Sequence, residues 1–441
     1  MGAWKQVMVC GLGLSGVAAA RLLRAEGVEV LAVDERDTPE SRRSAEELSA
    51  VGCAVALGAP LPPAGDFDAA VASPGLPVDA PFLSEVRRRG IPLISEMELG
   101  WSRFRGRTIA VTGSNGKSSV VKALAECLEA AGRRAVPCGN YGLPVCQAVL
   151  EFPAANWLVI EASSFQLETC VEFRPDIGVL LNVLPNHLDR HGTLAAYARL
   201  KARLFARQRG GDVALVPPEW RKRFEKWSRG RGQWQTFGVA AEADFRFQAG
   251  LLSQKNGADI GIDGSYFNNV VLGPNAAALF GAARTAGVFP ATVQAVLRRF
   301  ESLPHRAEPV GEFNGVRYVN DSKATNLSAM IASIRMQDRP VWLIAGGRPK
   351  ETDFSGAIPI LKERVQGVFL IGEAAAAMAA AWGGAVSCEA CETLDRAVTA
   401  ARRAARSGEA VLLAPACTSY DQFRAYAERG EAFRKLASEK D

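Results

Sequence analysis

The sequence predicts an α/β protein of three domains with mostly parallel sheets. Three observations carry that expectation. Short apolar runs rich in Val, Ile and Leu alternate with helical stretches along the whole chain. Two glycine-rich turns each stand between such a run and a helix. The chain has 441 residues, too many for a single core when a domain averages about 150.

In the first block, residues 7–10 and 28–33 read as buried strands flanking a helix from about 17 to 25. The second block begins near Met97, with strands around Ile109, at 157–160 and at 178–181. The third holds apolar runs at 341–345, 368–371 and 411–415, separated by helical stretches such as 394–406. The alanine-rich run 374–381 reads as helix rather than disorder, and no internal repeat is visible. Boundaries near Ser95 and near Leu303-Pro304 give expected domains of 1–96, 97–302 and 303–441.

Composition narrows the class. Apolar content of 48% with 22% charged residues is that of a globular protein, and a net charge of +5 makes no case for nucleic acid or an anionic membrane. No apolar run reaches the roughly 20 residues that span a bilayer. The opening "MGAWKQVMVCGLGLSGVAAARLL" lacks the cationic segment and unbroken apolar core of a signal peptide, so a cytoplasmic protein with nine reduced cysteines is expected. Cys388 and Cys391 form a lone C-x-x-C, short of the four ligands that zinc needs.

The stretch "TGSNGKSS" at 112–119 follows an apolar run and opens a helix. Gly113 and Gly116 let the backbone amides converge on an anion, and the helix adds its positive end. Lys117 can reach the β- and γ-phosphates of a nucleotide while the Ser118 hydroxyl ligates Mg²⁺. The usual G-x-x-x-x-G-K-[ST] pattern wants glycine at 111, which here is Val111.

Glu161 ends the run "WLVIE", and carboxyl ends of parallel strands converge on a ligand crevice, which puts this acid beside the phosphate loop as a Mg²⁺ ligand. Two of only three histidines lie in "NVLPNHLDRHG" at 182–192, where His187 and Asp189 can face the same crevice. Tyr197 and Lys201 then share a helix face by i,i+4 spacing. The third histidine is in "LPHR" at the second boundary, and polar clusters follow the apolar runs of the third block at "NDSKATN" (320–326) and "PACTSYDQF" (415–423).

"GLGLSG" at 11–16 with an acid at Asp34 has the full dinucleotide spacing. A dinucleotide needs two mononucleotide halves, however, and this block ends near residue 95. A half-sized Rossmann unit holding one nucleotide diphosphate fits better. A short Pro74-Gly75 loop closes another of its strands.

Taken together, "GLGLSGVAAARLL", "TGSNGKSS", "EASSFQLE", "NHLDRHGT", "LPHR", "NDSKATN", "GGRPKETDF" and "PACTSYDQF" resemble, in order and over essentially the whole chain, the Mur ligase family. The "SSFQLE", "DSKATN" and "PAC-S-DQF" forms are most similar to the branch that adds D-glutamate. The resemblance implies Rossmann-like terminal domains around a P-loop ATPase-like centre, and ATP-dependent joining of D-glutamate to UDP-N-acetylmuramoyl-L-alanine through an acyl phosphate, in peptidoglycan precursor synthesis. It implies ATP on Gly113, Ser114, Asn115, Gly116, Lys117, Ser118 and Ser119, with Asn275 and Arg306 near the adenine and Asp321 near the ribose. Two Mg²⁺ ions are expected, one on Ser118 and Glu161, the other on Glu161, His187 and a carbamylated Lys201. Ser15, Gly16, Asp34, Arg36, Ser73 and Asn140 would hold the UDP-sugar, and Lys323, Thr325, Lys350, Ser419 and Tyr426 the D-glutamate. Lys117, Glu161, His187 and Lys201 are the expected catalytic set, in a monomer that binds small molecules rather than nucleic acid or membrane.

Departures from the family pattern are few. Asn186 stands where sister ligases often have aspartate, Ser119 where threonine is commoner, Tyr426 where phenylalanine is frequent, and Gly273-Pro274 lacks the His-Asn pair often found before Asn275.

Three readings compete: an NAD(P) oxidoreductase using the N-terminal fingerprint, a P-loop kinase or motor ATPase, and a non-catalytic nucleotide-binding module. The first leaves the phosphate loop idle, and the last explains none of the candidate metal ligands. A sister ligase that adds another amino acid is closer still.

Overall fold

The structure, a computed structural model, describes residues 4–439, and the side chains of Leu188 and Asp189 lie outside what it describes. Three sheets organise the chain. The first has five parallel strands in the order Ala54–Leu57, Glu29–Asp34, Gln6–Cys10, Ala69–Ala72, Leu93–Ser95. Its two central strands, "QVMVC" and "AAVA", are buried on both faces almost throughout, as continuous apolar runs in a parallel sheet should be. Numbered along the chain these strands stand in the order 3-2-1-4-5, the doubly wound arrangement one strand short of two mononucleotide halves, and so more than the half-sized unit the block's length suggests.

The second sheet runs Asp259–Gly261, Leu251–Gln254, Phe245–Gln248, Gln233–Gly238, Val213–Val216, Ile177–Leu180, Arg107–Thr112, Trp157–Glu161, Ala135–Gly139. The six strands from Gln233–Gly238 to Ala135–Gly139 are parallel to one another. Phe245–Gln248 joins them in parallel, and two antiparallel strands finish that edge. The third sheet is Glu308–Phe313, Val316–Asn320, Ala410–Ala416, Val341–Gly346, Val365–Ile371, Cys388–Glu392. Only its first pair is antiparallel.

The alanine-rich run forms the helix Ala375–Trp382, and the 394–406 stretch the helix Leu394–Ala404. None of the nine cysteines is in a disulfide. Among the described residues no helix is long and apolar enough to cross a membrane.

The chain falls into two compact units. The first two sheets lie in one unit, which also takes in Pro274–Arg298; the third sheet lies in the other, with Leu184–Asn186 and Gly264–Gly273. Each is described by itself below.

Candidate functional site

In the first unit the candidate residues collect at the carboxyl ends of adjacent parallel strands. Val111 is paired with Glu161, and Gly139 with Glu161 from the other side, so the ends of three strands lie level. The phosphate loop leaves the strand Arg107–Thr112, beside the one that ends in Glu161. Val111 is fully buried inside that strand, and the turn begins at Gly113 instead. Gly116 caps the helix Lys117–Ala130 with φ +85°, and a Cβ there would lie 2.3 Å from Asn275 Nδ2. Only glycine fits both demands, and the close approach places Asn275 against the loop.

Side chains fix the loop from below. Asn182, the second residue after the strand Ile177–Leu180, accepts the N–H groups of Ser114 and Asn115 on Oδ1, each at 3.0 Å, and donates from Nδ2 to the Asn115 carbonyl at 3.0 Å. The rule that picked Glu161, a polar residue at a strand end, would have picked Asn182 too; an amide simply draws less notice than an acid. Lys117 Nζ folds back on the carbonyls of Gly113 and Ser114 at 3.0 Å each. Ser118 Oγ donates to Glu161 Oε2 at 2.6 Å, and Asn140 Nδ2 donates to Glu161 Oε1 at 2.7 Å. Glu161 is 2% exposed.

Lys201 is the least expected in its burial. The helix Leu194–Ala202 turns the face shared by Tyr197 and Lys201 inward, leaving them 2% and 1% exposed. Lys201 Nζ lies 4.2 Å over the Tyr197 ring and donates to the Gly113 carbonyl at 2.9 Å. Burial drives its pKa well below the ordinary lysine value; the Lys117 charge adds to this and Glu161 opposes it.

His187 has a left-handed backbone (φ 53°), and its ring meets Phe165 edge-on at 4.9 Å. The residues after it are anchored: His191 Nε2 pairs with Ser164 Oγ at 3.0 Å, and Arg190 holds both Glu168 and the Leu76 carbonyl. The segment bearing His187 is thereby tied to the loop that follows Ser73.

The fit of absent groups can be tested on the donors present. Thr112 Oγ1 and Asn115 Nδ2 are buried around the loop with no hydrogen-bond partner among the described residues, a state that costs about 1–3 kcal/mol each unless something else satisfies them. A phosphate-bearing ligand fits such a cradle. The hydroxyl of Ser118 and the carboxylate of Glu161 are hard oxygen donors, which suit Mg²⁺. Among the described residues no group of three or more His, Cys, Asp or Glu comes together as a softer metal would want.

On the first sheet, Ser15 and Gly16 lie in the first turn of the helix Leu14–Ala25. Asp34 is 5% exposed and accepts the Leu12 N–H at 2.8 Å and the Arg36 N–H at 3.0 Å, while the Arg36 side chain is largely exposed. Ser73 packs on the loop: a Cβ on Gly11 would lie 2.9 Å from Ser73 Cβ.

In the second unit, Asp321 follows the strand Val316–Asn320, and burial pushes its carboxyl up to about 6 against the pull of Arg306. Lys323 Nζ stands 3.9 Å over the Tyr426 ring. Thr325 donates its N–H to the Lys323 carbonyl at 2.8 Å, Ser419 is 2% exposed, and Lys350 is exposed. These residues share one unit; Glu161, His187 and Lys201 lie in the other.

Comparison with known proteins covers the same ground. Models of the Mur ligase MurD-like N-terminal domain, the Mur ligase middle domain and the Mur ligase glutamate ligase domain match residues 5–95, 111–270 and 305–417. The UDP-N-acetylmuramoylalanine--D-glutamate ligase of Acidobacterium capsulatum is 38% identical, over 98% of this chain and 96% of its own. That of Nitratidesulfovibrio vulgaris is 40% identical over 97% and 94%. Among solved structures, the MurF ligase of Thermotoga maritima in complex with ADP superposes with a TM-score of 0.62 at 18% identity, over 93% of this chain and 94% of that one. MurC of Thermotoga maritima gives 0.59 at 15%, over 99% and 100%. At such identities the structures speak for the fold alone.

Proposed function

This chain belongs to the Mur ligase family, and from that membership and the geometry of the phosphate loop we infer what its residues do. It is an ATP-dependent acid–amino-acid ligase of peptidoglycan precursor synthesis, joining D-glutamate to UDP-N-acetylmuramoyl-L-alanine.

The reaction runs through an acyl phosphate. An oxygen of the alanyl carboxylate attacks the γ-phosphorus of ATP and ADP leaves. The amine of D-glutamate then adds to the acyl carbon, phosphate departs with one former carboxylate oxygen, and the nitrogen loses a proton to give the amide. Lys117 neutralises charge on the transferring phosphoryl group, and the amides of Gly113 to Ser119 hold the phosphates. Asn275 and Arg306 take the adenine and Asp321 the ribose.

Mg²⁺ on Ser118 and Glu161, when bound, offsets phosphate charge. Asn140 and Ser118 already orient both oxygens of Glu161. A second ion calls for Glu161, His187 and a carbamylated Lys201. The neutral amine that burial favours adds to CO₂, losing a proton and becoming a carbamate; an ammonium would repel a cation.

Ser15, Gly16, Asp34, Arg36, Ser73 and Asn140 bind the UDP-sugar. Lys323, Lys350, Thr325, Ser419 and Tyr426 bind D-glutamate, the two lysines matching its two carboxylates by charge. The domains are 1–96, 97–302 and 303–441, in a cytoplasmic monomer that engages neither membrane nor nucleic acid.

The observation that supports these roles most is the meeting of Lys117, Ser118, Glu161 and Lys201 on a single loop. Phosphate release from ATP, measured with UDP-N-acetylmuramoyl-L-alanine and each of several amino acids, tests the reading. It should require both substrates and select D-glutamate; turnover with ATP alone would overturn it.

A further inference from the structure

In the second unit one side chain gathers every segment assigned to the amino acid. Arg429 lies on the first turn of the helix Tyr426–Ser438 and is 1% exposed. Its guanidinium has five N–H donors, and five uncharged acceptors meet them. Nε donates to Ser322 Oγ at 3.0 Å. Nη1 donates to the carbonyls of Thr418 and Gly346 at 3.3 and 3.5 Å, and Nη2 to those of Ser322 and Cys417 at 2.9 and 3.1 Å. Burial lowers its pKa to about 10, so it stays a cation near neutral pH.

The acceptors come from three separate strand ends. Ser322 precedes Lys323, beyond the strand Val316–Asn320. Gly346 ends the strand Val341–Gly346 and leads to Lys350. Cys417 and Thr418 follow the strand Ala410–Ala416 and lead to Ser419. The helix itself supplies the fourth element, because the Tyr426 carbonyl accepts from Ser322 Oγ at 2.8 Å. Thr418 and Arg348 exchange backbone hydrogen bonds at 3.0 Å, which fixes the start of the segment bearing Lys350. Gly347 (φ +126°) keeps this junction tight: a Cβ would lie 2.3 Å from the Thr418 oxygen and 3.1 Å from Arg429 Nη1.

We propose that Arg429 is the positioning residue of the amino-acid site, its planar fork setting the register of the segments that carry Lys323, Lys350, Ser419 and Tyr426. The proposal rests on the assignment of those four residues to D-glutamate. Arg429 touches no substrate and acts only through the backbone it holds. A lysine there keeps the charge but brings three donors to five acceptors, without the spread of the planar fork, so at least two of them lose their partner.

The test is steady-state kinetics of the full chain with each substrate varied in turn. Arg429→Lys and Arg429→Ala should raise KM for D-glutamate by at least about tenfold while leaving KM for ATP and the UDP-sugar within about twofold. Added guanidinium chloride at low millimolar concentration should restore part of the Arg429→Ala loss and none of the Arg429→Lys loss. Ser322→Ala, which removes the Nε acceptor together with the hydroxyl's bond to the Tyr426 carbonyl, should show the same selective rise on a smaller scale, and it decides the matter if both Arg429 variants fail to fold. An unchanged KM for D-glutamate in folded variants, or a parallel rise in all three KM values, overturns the proposal. Lys350→Ala separates the two levels of the argument. If it too leaves KM for D-glutamate unchanged, the site assignment has failed; if it raises that KM and the Arg429 variants do not, only the role of Arg429 has.

Discussion

The Nζ of Lys201 donates a 2.9 Å hydrogen bond to the carbonyl of Gly113, joining a helix to a phosphate loop 88 residues earlier in the chain. At 1% exposure, and with the Lys117 charge adding to the effect of burial, the amine is held toward its neutral form. That is the form that reacts with CO₂. Lys201→Ala should be nearly inactive, and a short carboxylic acid added to the assay should restore part of the activity by standing in for the lost carbamate. Gentle mass spectrometry of the wild-type protein should find a CO₂ adduct. Full activity in the alanine variant would leave Lys201 a buried structural lysine.

Lys117 is held on the Gly113 and Ser114 carbonyls by hydrogen bonds that a phosphate oxygen can replace. Lys117→Ala should lower kcat at least a hundredfold, about 2.7 kcal/mol of transition-state stabilisation. Turnover within a few-fold of wild type would remove the phosphate-loop assignment.

Both oxygens of Asp34 are engaged by the backbone N–H groups of Leu12 and Arg36, in the loops that carry residues proposed for the UDP-sugar. Asp34→Ala should therefore raise KM for the UDP-sugar and spare KM for ATP. NADH binding to the wild-type protein that disappears in this variant would revive the oxidoreductase reading.

Much of this site is legible in the sequence because its parts obey local rules. A glycine turn between strand and helix, and an acid closing an apolar run, need no knowledge of the rest of the chain. The strand Ala135–Gly139 is harder to see because "AVPCG" carries proline and glycine, and Cys388–Glu392 because "CEACE" has the polarity of a sheet edge. Phe245–Gln248 and Leu251–Gln254 are only four residues each, too short to show a period. The spacing of Tyr197 and Lys201 establishes a shared helix face but not that the face turns inward. Arg429 is hidden for a related reason: four of its five acceptors are backbone carbonyls, which leave no trace in side-chain identity.

Glu96 gives the fold a pH dependence of its own. It is 1% exposed, and Oε1 accepts the Cys146 N–H at 2.6 Å while Oε2 is buried with no hydrogen-bond partner among the described residues. Burial raises its pKa from 4.5 to about 7. The folded state thus binds the extra proton, so this contribution is complete below about pH 4.5 and is lost as pH rises through 7. The stability of wild type relative to Glu96→Gln should fall by on the order of 3 kcal/mol between about pH 4.5 and 8, read from denaturant midpoints. Asp321, pushed up to about 6, titrates in the same window, which is why the glutamine variant is the reference. Parallel curves for the two proteins would rule out a buried, titrating Glu96.

The central claim is that the enzyme activates the alanyl carboxylate by phosphorylating it, and oxygen tracing tests that most directly. UDP-N-acetylmuramoyl-L-alanine labelled with ¹⁸O in both carboxylate oxygens is turned over with ATP and D-glutamate, and the phosphate formed is analysed by mass. Attack by the carboxylate on the γ-phosphorus predicts one labelled oxygen in each phosphate and the other in the new amide. Unlabelled phosphate would mean that water, not the carboxylate, receives the phosphoryl group, and would contradict the mechanism.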